Sequence, residues 1–387
     1  MMEVICLITL FILLLLSLLY LFSNGSVSRK FGGRVLVILA FLFVVFSLVF
    51  QPRDFIRWDL IEHFKLVDNM RFGGLDYATQ ESQYADLFVY NYFAYFVSIL
   101  PEEYQNLLTA IPLIVDFVIV GYIYRKMFNE YLPDTNGKTR LLSILLWLFT
   151  FGIKLAISGI RCSLAVSIAV LAIFLEMIEE RRKLLAILLY IVSIFIHNFA
   201  LVVLIVRFAT MIKKPIVVML LSLGISSSIV PAAKYVVSNV DNAYLKFSFG
   251  RILDTAENMN FLSAVKSFDG STLLIYMCFV AMAAYLFIVS TKSKHVYRED
   301  EFCKNVANFA ATVGAVAMGM SFNYLYLERF MYLMSFVFLM IIPLHNRNKN
   351  RINVENVVII PMSLFLFFFN DVYVFIVNYV GEYFLAM

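Results

Sequence analysis

Apolar runs of about 17 to 20 residues recur from one end of this 387-residue chain to the other, and an α-helix of that length crosses a hydrocarbon layer about 30 Å thick. Hydrophobic residues make up 62% of the chain and charged residues 15%, whereas soluble domains carry about 25% charged residues. The short alternating segments of a membrane β-barrel are not evident. The sequence therefore predicts an all-α, polytopic transmembrane helical bundle of about 12 helices, forming a single domain over residues 1–387.

The distribution of Lys and Arg predicts the orientation of these helices. Six short connections hold most of the 31 basic residues. They lie at residues 28–34, 125–140, 180–183, 213–214, 291–304 and 345–351. Because Lys and Arg concentrate on the cytoplasmic side of a membrane, all six are placed inside. This puts the N-terminus outside and requires an even number of crossings between successive basic connections.

That parity predicts two features of the outer face. The apolar segment 87–100 should not cross but should form an amphipathic or re-entrant helix. Residues 184–212 should form two short helices that turn at His197, and the polar segments 52–103 and 232–270 should be outer loops. The predicted spans are about 3–22, 35–51, 104–124, 141–157, 162–178, 184–197, 199–212, 215–231, 271–290, 305–321, 329–344 and 354–371. Asn370 and Asp371 leave open whether the last segment returns as a hairpin.

Several ionisable residues are predicted to share the outer boundary of the membrane. Such residues are costly within a bilayer and usually face a cavity or a partner. Arg161 lies in a short connection between two helices, His197 at the hairpin turn, and Arg329 at the start of a late helix. The polar segment 51–64 opens the first outer loop. Its ionisable residues are Arg53, Asp54, Arg57, Asp59, Glu62 and His63.

These residue types suit a phosphorylated substrate. A guanidinium group binds phosphate oxygens through a planar fork and stays charged. A neighbouring His or carboxylate could take a proton from a sugar hydroxyl. Together they could transfer a glycosyl group from a lipid diphosphate at the outer face. Simpler interpretations stay open, because arginines near helix ends often reach for headgroups and because Asp54 and Arg57 are spaced as a local ion pair. The scattered cysteines indicate no metal site.

The order of the motifs resembles the EpsG-like branch of the Wzy-type polysaccharide polymerases over most of the chain. The similarity rests on "RDFIRWD" in the first outer loop, the short outer helix at 87–100, "GIR-x-x-x-A" at 159–165, "FIHNFAL" at 195–201 and "ERF" at 328–330. Two positions depart from the family pattern. Cys162 follows the arginine where Gln is frequent, and Asn198 and Phe199 follow the histidine where Ser is frequent.

The resemblance implies a GT-C-like membrane glycosyltransferase, multi-pass in a bacterial cytoplasmic membrane. It would polymerise undecaprenyl-diphosphate-linked oligosaccharide repeat units into O-antigen, capsular polysaccharide or exopolysaccharide. It implies no cofactor, no metal and no nucleic acid, and a chain-length regulator is a candidate partner besides the lipid bilayer. The residues implied for the donor diphosphate are Arg161, Arg329, Arg53 and Arg57, and those for the acceptor-side base are Asp54, Asp59 and His197.

Three other functions stay open at this point. A flippase or transporter of the lipid-linked oligosaccharide would often show inverted repeats and helices broken near the midplane, and neither is evident. A ligase would transfer the finished glycan to another acceptor, and spacing alone does not separate it from a polymerase. A membrane scaffold without catalysis is the fourth interpretation.

Overall fold

A computed structural model describes residues 2–23, 26–50, 59–81, 87–152, 159–241, 270–297, 299–321, 324–347 and 354–369, with isolated positions at 157, 246, 249–250 and 253. Regular structure in these ranges is helical, and no strand occurs among them. The all-α prediction is therefore confirmed. Arg53, Asp54 and Arg57 lie outside the described residues.

The described ranges contain fourteen α-helices, which we name α1 to α14 in chain order. They are Met2–Phe22, Phe31–Val49, Asp59–Asp76, Phe88–Ile99, Leu107–Lys126, Gly137–Phe151, Ile160–Ile173, Lys183–Ile194, Phe199–Ala209, Pro215–Asn239, Gly270–Val296, Glu301–Gly319, Tyr324–His345 and Val354–Phe367. Short π-helical turns continue α3, α5 and α7 at Tyr77–Glu81, Met127–Tyr131 and Phe174–Ile178.

Each of the twelve predicted spans overlaps with one of these helices, and α3 and α4 are additional. Five helical segments among the described residues are long and apolar enough to cross a membrane. They are Phe31–Val49, Glu102–Tyr131, Ile160–Ile178, Pro215–Asn239 and Leu273–Val296. The chain is thus a helical protein with several segments capable of spanning a membrane. The full set of twelve crossings and the outer N-terminus stay predictions.

The short helices occur where the sequence predicts them. Helix α4 has 12 residues and rises about 18 Å, less than the hydrocarbon layer. It ends at Leu100, whose extended backbone (ψ 156°) suits the residue before Pro101. Helices α8 and α9 have 12 and 11 residues and are joined by the turn that carries His197. The predicted helical pair around His197 is therefore present.

The centre of the bundle is α6, packed against α13. Asn136 starts α6 by accepting a hydrogen bond from the backbone N–H of Thr139 at 2.8 Å, and Gly152 ends it with a positive φ of 70°. Every side chain of residues 139–151 is buried. A helix that is apolar on all sides lies inside a bundle, and α6 meets that rule. The other helices therefore pack around it.

An ion pair sets the relative direction of α7 and α9. Glu176, just after α7, accepts two hydrogen bonds from Arg207 near the end of α9, at 2.6 and 2.9 Å. Tyr190 donates a third, at 3.1 Å. Because both helices finish beside this pair, they start at the same end of the bundle. Arg161 and His197, which lie near those two starts, consequently share that end.

Two glycines of α12 allow close helix contacts. A Cβ atom on Gly314 would lie 2.7 Å from the backbone nitrogen of Phe287 in α11. A Cβ on Gly319 would lie 2.6 Å from the backbone oxygen of Met219 in α10. Small residues at such contacts let helix backbones approach closely in a membrane protein. The positions of α10 and α11 against α12 therefore depend on these glycines.

Replacing Gly314 with Ala should lower the free energy of unfolding by about 1–3 kcal/mol, because the new methyl group meets backbone that cannot move away cheaply. The matched control is Gly224→Ala in α10, where a Cβ would meet nothing within 4 Å. Ala favours a helix over Gly, so this control should be neutral or slightly stabilising. Thermal unfolding of both purified variants in detergent measures the difference. Equal melting temperatures would contradict the tight contact.

Candidate functional site

Arg161 lies in the first turn of α7, and its side chain is half-buried. Gly159 before it has non-helical backbone angles, so the helix begins at Ile160. The guanidinium carbon of Arg161 lies 5.3 Å from the centroid of the Tyr90 ring in α4. Tyr90 is buried, and a cation over an aromatic face contributes about 0.5–2 kcal/mol, more as the pair is shielded from water. This contact joins α7 to α4.

Tyr90 also contacts His63 of α3. The Tyr90 hydroxyl and Nδ1 of His63 share a hydrogen bond of 3.0 Å, and both side chains are buried. His63 lies on the buried face of α3 together with Leu60, Leu66 and Val67. The helical spacing of these residues points them to one side. Arg161, Tyr90 and His63 therefore form a continuous line of contacts across three helices.

His197 is oriented by its own turn. Its Nδ1 accepts a hydrogen bond from the backbone N–H of Phe199 at 3.0 Å. A nitrogen that accepts a hydrogen bond carries no proton, so the neutral ring carries its proton on Nε2. In this state Nε2–H is a donor and not a proton acceptor.

Burial, together with the nearby arginines, keeps the rings of both histidines neutral. Burial holds the pKa of His197 well below its usual range, and the guanidinium groups of Arg329 and Arg161 and the imidazole of His63 lower it further. Burial, assisted by Arg161, lowers the pKa of His63 to about 3. The side chains in this region therefore lie close enough to change one another's pKa; they are those of His63, Arg161, His197 and Arg329.

Aromatic contacts hold the elements that carry these groups. The rings of Phe199 and Phe330 lie 5.5 Å apart edge to face, which joins the start of α9 to α13 beside Arg329. The rings of Phe88 and Phe195 lie 4.2 Å apart, which joins α4 to the turn of His197. Pairs of this kind add about 0.5–1.5 kcal/mol beyond the burial of their area. The site is therefore supported by packing on both sides.

Of the predicted site residues, the structure brings together Arg161, His197 and Arg329. Asp59 is exposed at the start of α3, four residues before His63. That spacing separates their Cβ atoms by about 6 Å along one helix face, so Asp59 lies at the margin of the cluster. Arg53, Asp54 and Arg57 are not among the described residues.

This arrangement can bind an anion. Two guanidinium groups supply positive charge, and the Nε2–H of His197 supplies a neutral donor. No group of three or more His, Cys, Asp or Glu side chains suited to a metal ion occurs among the residues with described positions. The donors fit the oxygens of a phosphate or diphosphate group.

Comparison with protein families matches residues 61–384 to the EpsG family. The chain belongs to the EpsG family. The predicted resemblance is thereby confirmed, and membership indicates a membrane protein of polysaccharide biosynthesis. Comparison with curated proteins and with solved structures gave no significant match.

The family match includes His63, Tyr90, Arg161, His197 and Arg329, whereas Arg53, Asp54, Arg57 and Asp59 precede it. Sequence reasoning missed the contribution of Tyr90, and it counted His63 among the ionisable residues of segment 51–64 without assigning it a specific role. Tyr90 lies in an aromatic run that indicates only an interface helix, and nothing in its spacing predicts a contact with Arg161. His63 stands four residues after Asp59, and its place on the apolar face of α3 was the available signal.

The stability of this EpsG-family protein should fall as the pH is lowered from 7 to 5. The unfolded chain binds protons to His63 below its ordinary pKa of 6.5, whereas the folded site does not until about pH 3. This difference removes about 2 kcal/mol per such histidine at pH 5. The melting temperature in detergent measures it. His63→Gln should flatten the pH dependence, and His295→Gln at an exposed position should not. An unchanged slope in His63→Gln would contradict the neutral buried histidine.

Proposed function

We propose that this EpsG-family protein polymerises undecaprenyl-diphosphate-linked oligosaccharide repeat units at the outer face of a bacterial cytoplasmic membrane. The observation that carries this proposal is the convergence of Arg161, His197 and Arg329 at one end of the helical bundle. Such a set of donors suits a diphosphate that becomes more negative as its bond to sugar breaks. The product would be an O-antigen, a capsular polysaccharide or an exopolysaccharide.

The proposed topology places the cluster on the outer side. In it the chain is one polytopic domain of about twelve crossings with the N-terminus outside, and residues 52–103 and 232–270 are outer segments. The ion pair between Glu176 and Arg207 supports this arrangement, because it places the basic connections after α7 and α9 at the end opposite the cluster. Lys and Arg favour the cytoplasmic side.

In the proposed reaction, Arg161 and Arg329 hold the donor diphosphate, with Arg53 or Arg57 assisting. The bond between the anomeric carbon of the donor and the diphosphate oxygen breaks, and the electron pair stays on that oxygen. The acceptor hydroxyl oxygen bonds to the anomeric carbon, and its proton passes to a carboxylate. The guanidinium groups stabilise the charge that develops on the leaving diphosphate.

The hydrogen bond from Phe199 refines the proposed part of His197. With Nδ1 engaged, the neutral ring offers Nε2–H to the diphosphate, which makes His197 a donor to the leaving group. Asp54 and Asp59 are then the candidates for the base that takes the acceptor proton. Asp59 lies one helical turn before His63, at the margin of the cluster.

Replacing Arg161 with Ala should lower polymerisation by about 10²–10³-fold, because one charge that stabilises the leaving diphosphate is lost. Surface polysaccharide should collapse to single repeat units while the protein stays in the membrane. Chain lengths in a deletion strain carrying the variant measure the effect. The control is Arg125→Ala. Arg125 is exposed and lies in the last turn of α5, away from the cluster, so this variant should retain long chains. Long chains in Arg161→Ala would contradict the proposal.

His197→Gln tests the donor against the base. The glutamine amide can donate near the position of Nε2–H but cannot accept a proton as a base, so activity should stay within about tenfold of the parent, whereas His197→Ala should lose about 10²–10³-fold. The same chain-length assay, with protein amounts matched, measures both variants. Equal and severe loss in the two variants would instead assign His197 the part of a base.

The deletion strain also separates the alternative functions. Accumulation of repeat units facing the cytoplasm would indicate a flippase or transporter. Finished polymer that remains on the lipid carrier would indicate a ligase. Single repeat units delivered to the surface are the result expected of a lost polymerase.

A further inference from the structure

A basic cavity of about 610 Å³ lies at the opposite end of the bundle from the candidate site. Tyr124 and Asn129, at the end of α5, line it, whereas Gln105 before the start of α5 donates to the backbone oxygen of Phe64 in α3, beside the candidate site. Helix α5 has 20 residues and rises about 30 Å. The cavity is therefore a separate location, about one membrane thickness from the cluster around Arg161.

Four cations line this cavity: Arg29, Lys30, Arg34 and Arg140. Arg140 is buried and donates to the backbone oxygens of Thr135, Phe128 and Pro133 at 3.0, 3.1 and 2.7 Å. Arg29 donates to the same Pro133 oxygen at 3.3 Å. Those acceptors are uncharged, so they orient the guanidinium groups without neutralising them.

No carboxylate lines the cavity, and none of the described carboxylates forms an ion pair with its four cations. Glu130, the nearest acidic residue in sequence to Asn129, is paired with Lys126 at 2.7 Å. The concentrated positive charge of the cavity therefore favours binding of an anion from outside the chain.

The remaining wall of the cavity is apolar and lies on the surface of the helical bundle. Val37 and Ile38, on the turn of α2 after Arg34, line it and are 69% and 45% exposed. Phe41, one turn further along α2, is 67% exposed and continues the same apolar surface. A small inorganic anion would leave this wall without a partner. An amphiphile would cover it with an acyl chain while its headgroup met the cations.

We propose that this cavity binds a phospholipid with an anionic phosphodiester headgroup, held by Arg29, Arg34 and Arg140, with an acyl chain along Val37 and Ile38. Basic cavities between transmembrane helices at the cytoplasmic side bind anionic lipid headgroups. Guanidinium groups match phosphate oxygens in geometry as well as charge. The site does not depend on the proposed polymerase activity, because it shares no residue with the cluster around Arg161.

The test is titration of the full-length protein in neutral detergent with three probes. They are a short-chain phosphatidylglycerol, a phosphatidylcholine with the same chains, and glycerol 3-phosphate. Melting temperature and native mass spectrometry report binding. Phosphatidylglycerol should bind with defined stoichiometry and raise the melting temperature, and the other two should not. Equal binding of phosphatidylcholine would overturn the need for an anion, and equal binding of glycerol 3-phosphate would overturn the need for a lipid chain.

The double variant Arg29→Gln and Arg34→Gln should weaken phosphatidylglycerol binding about thirtyfold, because it removes two of the cations that contact the headgroup. Both arginines are exposed, so folding should survive, and Arg34→Gln alone provides a milder version. The matched control is Arg125→Gln, an exposed arginine at the same end of the bundle but outside the cavity. Unchanged affinity in the double variant, or an equal loss in the control, would overturn the proposal.

Discussion

Within hydrocarbon every backbone N–H and C=O must find its partner inside the protein, and this constraint governs the molecule. It confines the apolar segments to helices and leaves turns and helix starts as the places where polar side chains can gather. Arg161 stands in the first turn of α7, and His197 stands between α8 and α9. The candidate site is therefore built from the ends of helices, where the chain changes direction.

At the candidate site, buried aromatic and imidazole groups surround the arginines. The ring of Tyr90 contacts the guanidinium of Arg161, and the Tyr90 hydroxyl shares a hydrogen bond with His63. One side chain therefore links the cation in α7 to helix α3. Burial and the nearby arginines lower the pKa of both histidines, which keeps the rings neutral. The positive charge of the site thus resides on its guanidinium groups, which suits an anionic ligand.

The two ends of the bundle use arginine in different ways. At one end Arg161 lies on an aromatic face, and at the other Arg207 is neutralised by Glu176 through two hydrogen bonds. Near that second end, Arg140 is held by backbone oxygens and keeps its full charge beside an open cavity. The partner of each guanidinium decides whether it stabilises the fold or remains available to a ligand.

Hydropathy and the order of motifs were enough to predict the helices, the membrane-spanning character, the family and the grouping of Arg161, His197 and Arg329. These properties follow from segment length and from which helix ends lie at one level, and both can be read along the chain. The contact of Arg161 with Tyr90 and the proton position on His197 were decided only by the tertiary structure. Such contacts depend on how each helix rotates and packs against its neighbours, and a linear sequence pattern does not specify that rotation.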